Sequence, residues 1–109
     1  RELLDGIEGI SCIQRTATDM DNYSYFPIVV SDSFPLSRDE LFEEFKKQHI
    51  FTRKYFYPIM TDLTVYHSYR AETPQAKFLS EHVLCLPMYP MLGKKDMQKI
   101  VSVIKQEVV

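Results

Sequence analysis

The apolar and polar positions along the chain alternate in a way that predicts short strands. Residues 23–30, "YSYFPIVV", alternate with a period of two, which places successive side chains on opposite faces of a strand. One face is expected to carry Phe26, Ile28 and Val30, and the other Tyr23, Tyr25 and Val29. Because Pro27 has no N–H to donate, this strand is predicted at a sheet edge or a bulge.

Two further strands are predicted from β-forming side chains that are followed by prolines. Residues 51–57, "FTRKYFY", are rich in aromatic residues and stop at Pro58. Residues 83–86, "VLCL", stop at Pro87. Aromatic and β-branched residues fit the pleated surface of a sheet, and proline ends such a run.

A helix is predicted to begin at Ser37, whose side chain can form a capping box with Glu40. Its apolar stripe comprises Leu41, Phe42 and Phe45. His49 stands where a glycine commonly ends a helix, and it is expected to adopt the left-handed conformation at some energetic cost.

Two more helices follow in the second half of the chain. A short one is predicted to open with Thr73 as cap and Pro74 in the first turn. The last follows Gly93, because apolar residues recur there at helical spacing. These apolar positions are Met97, Ile100, Val101, Ile104 and Val108.

The order of these elements predicts an α+β fold with a small, mostly antiparallel three-stranded sheet and helices on one face. The opening residues, "RELLDGIEGI", are interpreted as the tail of a helix that ends at Gly6 or Gly9. The length of 109 residues predicts one domain, 1–109. Since the chain does not start with Met, we expect it to be a fragment of a longer protein.

Composition and charge narrow the functional classes. The formal net charge of −2 disfavours a nucleic-acid-binding surface, which requires clustered Lys and Arg. The sequence contains neither a run of about 18 apolar residues nor a signal peptide, so we expect a cytoplasmic protein without a membrane partner. Cys12 and Cys85 lie among apolar neighbours, as buried thiols usually do.

The usual catalytic and metal-binding motifs are missing. The sequence has no Gly-rich phosphate loop, CxxC, HExxH or GxSxG. His49, His67 and His82 are far apart in sequence and are interpreted as helix-end or surface residues, so no metal site is predicted. The acidic residues cluster at 38–44, at a helix start where they suit the dipole, and no catalytic residue is assigned.

The aromatic residues are the unusual feature, with seven Tyr and seven Phe. Alternation along 51–57 predicts Phe56 in the core and Arg53, Tyr55 and Tyr57 on the opposite face of the sheet. These rings could simply seal the sheet, because tyrosine is common in strands. Alternatively, the tyrosine hydroxyls and the Arg53 guanidinium could bind a polar, anionic ligand.

Four segments, in this order and spacing, carry a family resemblance: "NYSYFPIVV", "SRDELFEEFKKQHIFTRKYFYP", "TDLTVYHS" and "FLSEHVLCLPMYP". They closely resemble the carboxyl-terminal small domain of the DegT/StrS family of pyridoxal-phosphate-dependent sugar aminotransferases. The resemblance covers nearly the whole chain. It implies the small domain of an aspartate-aminotransferase-like fold, in an enzyme of sugar-nucleotide biosynthesis that transfers an amino group from glutamate to a nucleotide-linked keto sugar.

The resemblance also implies what lies elsewhere. The Schiff-base lysine and most ligands of pyridoxal phosphate belong to a large domain that would precede residue 1, and the full-length protein would be a homodimer. This span is therefore expected to be inactive alone and to hold no cofactor. Many members have His at the position of Tyr55. Substrate-binding roles are expected for Arg53, Tyr55, Tyr57 and Tyr25.

Two other functions remain open at this point. Aromatic residues on one sheet face also occur in RNA-binding modules, which stack bases there. The segment "RKYFYP" lacks the glycines of that signature, and the charge is acidic. The chain could also be a free-standing interaction or regulatory domain with the same fold.

Overall fold

The computed structural model describes residues 1–13, 24–69 and 71–108, without the side chains of His67 and Tyr69. The strands are β1 (Ile10–Cys12), β2 (Phe26–Val30) and β3 (Val83–Leu86), and the helices are α1 (Arg38–Lys47), α2 (Pro74–His82) and α3 (Lys94–Gln106). Short 3-10 segments cover Glu2–Leu4, Met60–Asp62 and Thr64–Tyr69. Tyr23, expected beside Tyr25, lies outside the described residues.

The three strands form one antiparallel sheet in the order β1-β2-β3. Ile28 lies opposite Leu84 and Cys12, and Val30 lies opposite Ile10. Directly opposed residues point to the same face, so the even positions of β2 face a common core as the alternation predicted. The α+β class and the three-stranded antiparallel sheet are therefore confirmed, although one of the three strands differs from the prediction.

The predicted strand at 51–57 is wrong. Arg53 pairs with Cys85 in an isolated bridge, and the chain then turns, with the Tyr57 N–H donating to the Lys54 carbonyl at 2.9 Å. Phe56, expected in the core, lies on this turn and is 70% exposed. Strand propensity describes how well side chains suit a packed sheet surface, and a turn can present the same aromatic residues.

The third strand instead comes from the N-terminal segment, which was interpreted as a helix tail. Glu2–Leu4 forms one 3-10 turn, and the chain bends through Gly6 and Gly9, both with positive φ, before β1 begins. Because β1 has three residues, its stability depends on pairing with β2, which sequence periodicity cannot reveal.

Pro27 occupies the central strand rather than an edge. It lies opposite Cys85 of β3, while β1 pairs only with residues 28–30 of β2. Within the described residues, the β1 side of β2 is therefore unpaired at Pro27. The missing N–H is tolerated because the position is locally an edge.

Helices α1 and α3 supply most of the helical part of the core. Leu41 and Phe45 of α1 are fully buried. The other helical residues of the buried hydrophobic cluster belong to α3 and are Ile100, Val101, Val103 and Ile104. This cluster also contains Leu4, Ile10 and Phe34, so the N-terminal segment and the loop after β2 close the core. These helices pack in one cluster with Phe26, Ile28 and Val30, the β2 residues that were predicted to share a face.

The ends of α1 follow the predicted local chemistry. Ser37 Oγ accepts from the Glu40 N–H at 3.2 Å, and Glu40 Oε2 accepts from the Ser37 N–H at 2.8 Å, which completes the capping box. At the other end, the His49 N–H donates to Lys46 and the Ile50 N–H donates to Phe45. This pattern is a Schellman motif, with His49 in the left-handed conformation at φ 59°.

Replacing His49 with Gly is expected to raise the free energy of unfolding by about 0.5 to 1 kcal/mol. A side chain at positive φ costs about 1 to 2 kcal/mol, of which the larger chain entropy of unfolded glycine cancels part. Urea unfolding measures the change. Lys46→Gly, inside the same helix, is the matched control and should destabilise by about 0.5 to 1 kcal/mol. A loss of stability in both variants would contradict the prediction.

No helix in the described ranges is long and apolar enough to cross a membrane.

Candidate functional site

The candidate site is built on residues 51–57, which run along the free edge of β3. The Arg53 N–H donates to the Cys85 carbonyl at 3.0 Å, and the Cys85 N–H donates to the Arg53 carbonyl at 2.8 Å. This pair of hydrogen bonds determines which way the side chains of the segment point. Thr52 is buried and Arg53 is exposed. The alternation predicted for 51–57 therefore holds as far as Arg53.

Beyond Lys54, the turn brings three rings together as an aromatic cluster of Tyr25, Tyr55 and Phe56. Tyr25 meets Tyr55 edge-to-face at 5.4 Å between ring centroids, and Phe56 stacks on Tyr55 at 4.9 Å. The Tyr25 and Phe56 rings are 6.4 Å apart and also edge-to-face. All three rings are partly exposed, so the cluster presents aromatic surface and two phenol groups to a ligand.

The Tyr55 backbone is fixed against β3. Burial raises the pKa of the Cys85 thiol, and a hydrogen bond from the Tyr55 backbone partly offsets this. Cys12 packs toward the core on the other face of the sheet, and both cysteines are free thiols. The Cys85 thiol is therefore one contact between β3 and the Tyr55 backbone.

Tyr57 lies apart from the aromatic cluster and is held by Arg38. The Arg38 guanidinium carbon is 5.0 Å from the centroid of the Tyr57 ring. The Tyr57 side chain remains half-exposed. The structure thus brings Tyr25 and Tyr55 together, places Arg53 on the same segment, and gives Tyr57 a separate partner.

A charged network connects this segment to the start of α1. Asp39 Oδ1 accepts from Arg38 Nε at 2.7 Å and from Lys54 Nζ at 2.9 Å. Burial alone would raise the pKa of Asp39, but the hydrogen bonds from Lys54 and Arg38 outweigh it and lower the pKa below its ordinary value. Lys54 Nζ also lies 4.5 Å from the centroid of the Phe42 ring. At neutral pH Asp39 is therefore an anion shared by two cations.

Arg38 is the site residue that sequence reasoning missed. Its Nη1 donates to the Ser80 carbonyl at 2.7 Å and to the Val83 carbonyl at 3.0 Å, and the residue is only 3% exposed. One signal was available in the sequence. A cation in the first turn of a helix faces the positive end of the dipole, so Arg38 needed another partner.

Lys54, on this segment, and Lys77 of α2 do not fit covalent attachment of pyridoxal phosphate. A Schiff base needs an unprotonated amine, which burial or a neighbouring cation favours and a carboxylate opposes. Lys54 is paired with Asp39, and Lys77 with Asp62 at 2.8 Å and Glu81 at 3.5 Å. The hydrogen bond and charge of Asp62 raise the pKa of Lys77. Lys77 is therefore held in its protonated form, and the Lys54 amine is occupied by its ion pair with Asp39.

Among the described residues, no group of three or more His, Cys, Asp or Glu side chains could hold a metal ion. His82 contacts the Phe78 carbonyl and Asp32 instead, at 2.7 and 3.3 Å. What the surface offers chemically is the exposed Arg53, on the same segment as Tyr55, and the two phenol hydroxyls of the aromatic cluster. These groups can hydrogen-bond a phosphate, a carboxylate or a sugar, and the rings can stack on a planar group.

Comparison with known proteins relates this chain to a family of aminotransferases. The family model described as "DegT/DnrJ/EryC1/StrS aminotransferase family" matches residues 1–105. A dTDP-4-amino-4,6-dideoxy-D-glucose transaminase of Shigella dysenteriae is 42% identical over 108 residues, which is 97% of this chain and 29% of the relative. The chain thus spans under a third of that relative's length.

Solved structures show the same fold. DesI, crystallised in the presence of its TDP-sugar product, superimposes with a TM-score of 0.88 at 24% identity, over 97% of this chain and 28% of DesI. A putative PLP-dependent aminotransferase from Bacillus cereus gives a TM-score of 0.80 at 22% identity, over 96% of this chain and 28% of the other. These structures share the fold of this chain, and the match of the family model over residues 1–105 shows that the chain belongs to the DegT/DnrJ/EryC1/StrS aminotransferase family.

Proposed function

We propose that this chain is the carboxyl-terminal small domain of a pyridoxal-phosphate-dependent aminotransferase that acts on a dTDP-linked sugar. The observation that carries the proposal is the exposed surface of Arg53 and the aromatic cluster, in a chain 42% identical to a dTDP-amino-sugar transaminase. By analogy with that relative, the acceptor would carry a keto group at carbon 4 of a 6-deoxy sugar. Glutamate is the proposed amino donor.

The residues of this chain form one side of the substrate-binding site and do not provide the reacting amine. The Arg53 guanidinium can hold the diphosphate of the nucleotide sugar or the donor carboxylate, both of which accept charge-assisted hydrogen bonds. The Tyr25 and Tyr55 hydroxyls can orient the sugar, since each phenol donates and accepts. Tyr57 can contribute from beside Arg38. These contacts would fix the sugar relative to the reaction centre.

The cofactor lysine and the opposite wall of the site would come from a large domain of the same polypeptide, outside residues 1–109. Two observations support this division. The lysines near the site are ion-paired, and the chain covers 29% of the length of its relative. We further propose that the full-length protein is a cytoplasmic homodimer and that nucleic acid and membranes are not its partners.

The direct test uses the full-length protein, purified with pyridoxal phosphate. It is incubated with glutamate and a dTDP-4-keto-6-deoxy sugar, and the products are separated by anion-exchange chromatography and identified by mass. Formation of the dTDP-4-amino sugar with stoichiometric 2-oxoglutarate supports the proposal. Absence of transfer to this sugar and to other nucleotide-linked keto sugars, from an enzyme loaded with cofactor, would contradict it and favour a regulatory role.

In that enzyme, Arg53→Ala is expected to lower kcat/KM by about tenfold or more, which corresponds to about 1.4 kcal/mol of transition-state stabilisation. The reason is that removing the guanidinium takes away both hydrogen bonds and orientation of an anionic group. Steady-state kinetics with each substrate varied in turn measures the change. The substrate whose KM rises is the one that Arg53 binds.

The control for Arg53 must be a cation outside the site. Lys54 is adjacent in sequence, but its ion pair with Asp39 connects it to the same segment. Lys46→Ala, on the exposed face of α1, is the better control and should change kcat/KM by less than about twofold. If Arg53→Ala retains wild-type kinetics at an unchanged melting temperature, the exposed Arg53 has no substrate role.

A further inference from the structure

We propose that Arg38 is a positioning residue for the substrate wall, which is the surface formed by Arg53, Tyr55, Tyr57 and Tyr25. It acts on residues 53–57 through its contacts with Tyr57 and Asp39. The inference rests on the proposed function and deepens it. Arg38 contacts no residue of the aromatic cluster in the interactions described above, and its side chain is 2% exposed. It therefore cannot bind a substrate directly, and any effect on the reaction must pass through the residues it holds.

The contacts of Arg38 reach three parts of the fold. Its Nη1 donates to the carbonyls of Ser80 and Val83, at 2.7 and 3.0 Å, where the last turn of α2 runs into β3. Its Nε donates to Asp39. A buried guanidinium is tolerated only when its donors are satisfied in this way. Arg38 thus fixes the first turn of α1 to the start of β3.

The guanidinium of Arg38 also contacts an aromatic ring. Its central carbon lies over the Tyr57 ring, 5.0 Å from the centroid, so the cation rests against the aromatic face. Tyr57 follows Tyr55 by two residues and ends the turn that carries the aromatic cluster. Holding the Tyr57 ring therefore restricts where the Tyr55 side chain can point.

The second connection runs through Asp39 to Lys54, the residue next to Arg53. Asp39 Oδ1 is 2.7 Å from Arg38 Nε and 2.9 Å from Lys54 Nζ. The segment is thus held at Lys54 and at Tyr57, and both contacts lead back to the same guanidinium. The bridge between Arg53 and Cys85 fixes the backbone at a third point. Tyr55 lies between the two side-chain contacts.

Arg38→Lys separates the positioning role from helix capping. A lysine amine can still donate to the carbonyls at the end of α2, but it has no planar group to cover the Tyr57 ring and cannot serve the carbonyls and Asp39 in the same fork. If Arg38 positions the substrate wall, Arg38→Lys should raise the KM of the same substrate as Arg53→Ala does, by a smaller factor. If Arg38 serves only to cap the end of α2, both KM values should stay at those of the wild type.

The experiment measures KM for the dTDP-4-keto-6-deoxy sugar and for glutamate, together with kcat, in the full-length enzyme. We expect Arg38→Lys to raise, by about fivefold, the KM of the same substrate that Arg53→Ala affects, with kcat lowered by less than about twofold. Glu43→Gln, an exposed change on α1, is the control and should leave both KM values unchanged. Equal increases in both KM values, or none, would overturn the proposal.

A second measurement does not depend on the reaction. Melting temperatures of Arg38→Lys, Tyr57→Leu and the double variant form a cycle that reports whether the two side chains act together. If Arg38 holds Tyr57, the double variant should melt within about one degree of the less stable single variant. Fully additive losses would refute the contact. Should the wild-type enzyme transfer no amino group, the proposed function fails, and this cycle alone still decides whether Arg38 positions Tyr57.

Discussion

Replacing Phe45 with Ala is expected to lower the free energy of unfolding by about 3 to 5 kcal/mol. Phe45 is fully buried on α1, among core residues from the sheet and α3. Removing the ring loses its transfer free energy and leaves a cavity that the surrounding helices and strands cannot fill. Domains are typically stable by about 5 to 15 kcal/mol, so this is a large share of the total. Urea unfolding measures the loss.

Phe56→Ala is the matched control, because it removes the same ring from a side chain that is 70% exposed. It should cost about 1 kcal/mol or less, mainly from the lost stacking on Tyr55. Tyr55→Phe, which removes only a hydroxyl, should also cost far less than Phe45→Ala. Losses of similar size at residues 45, 55 and 56 would show that the aromatic cluster is part of the structural core.

Elements with local signals were predictable from the sequence. The capping box at Ser37 involves atoms three residues apart, and the apolar spacing of α3 is contained in one helix. The left-handed conformation of His49 follows from its place after the last turn of α1. In each case, the interactions that decide the local structure lie within a few residues of one another.

The errors arose where the backbone path depends on a distant strand partner or on a turn that side-chain propensity does not mark. Residues 10–12 form a strand because β2 offers a partner, and nothing in three residues shows that partner. Residues 51–57 have strand-forming side chains, yet the hydrogen bond from Tyr57 to Lys54 turns the chain after one bridge to β3. Propensity correctly marked an unusual aromatic segment but could not determine its backbone path.

The same distinction applies to the candidate site. Arg53, Tyr55 and Tyr57 could be grouped as candidates from the sequence because they lie within five residues of one another. Arg38 could not, because its carbonyl partners Ser80 and Val83 lie 42 and 45 residues away. On a helical pattern, Arg38 looks like one more charge on a solvated first turn. Arg38 is buried because the end of α2 lies beside the first turn of α1 in the fold.

Gly9→Ala is expected to destabilise the protein by about 2 to 4 kcal/mol, because backbone strain and a collision coincide at this position. Gly9 has φ of +85°, which costs a residue with a side chain about 1 to 2 kcal/mol. In addition, a Cβ atom there would lie 2.4 Å from the Phe34 backbone nitrogen and 2.6 Å from its Cα. The Gly9 carbonyl accepts from the Ser31 N–H at 2.8 Å, so the two segments cannot separate without breaking this bond.

Gly6→Ala isolates the conformational part of that cost. Gly6 has a similar φ of +77°, but a Cβ atom there would meet nothing within 4 Å. The left-handed strain is partly offset by the lower entropy of unfolded alanine, so a loss of about 1 kcal/mol is expected. Urea unfolding of both variants separates strain from collision. If Gly9→Ala costs no more than Gly6→Ala, the loop at Phe34 can move away freely, and the close approach of Gly9 does not hold the N-terminal segment against the core.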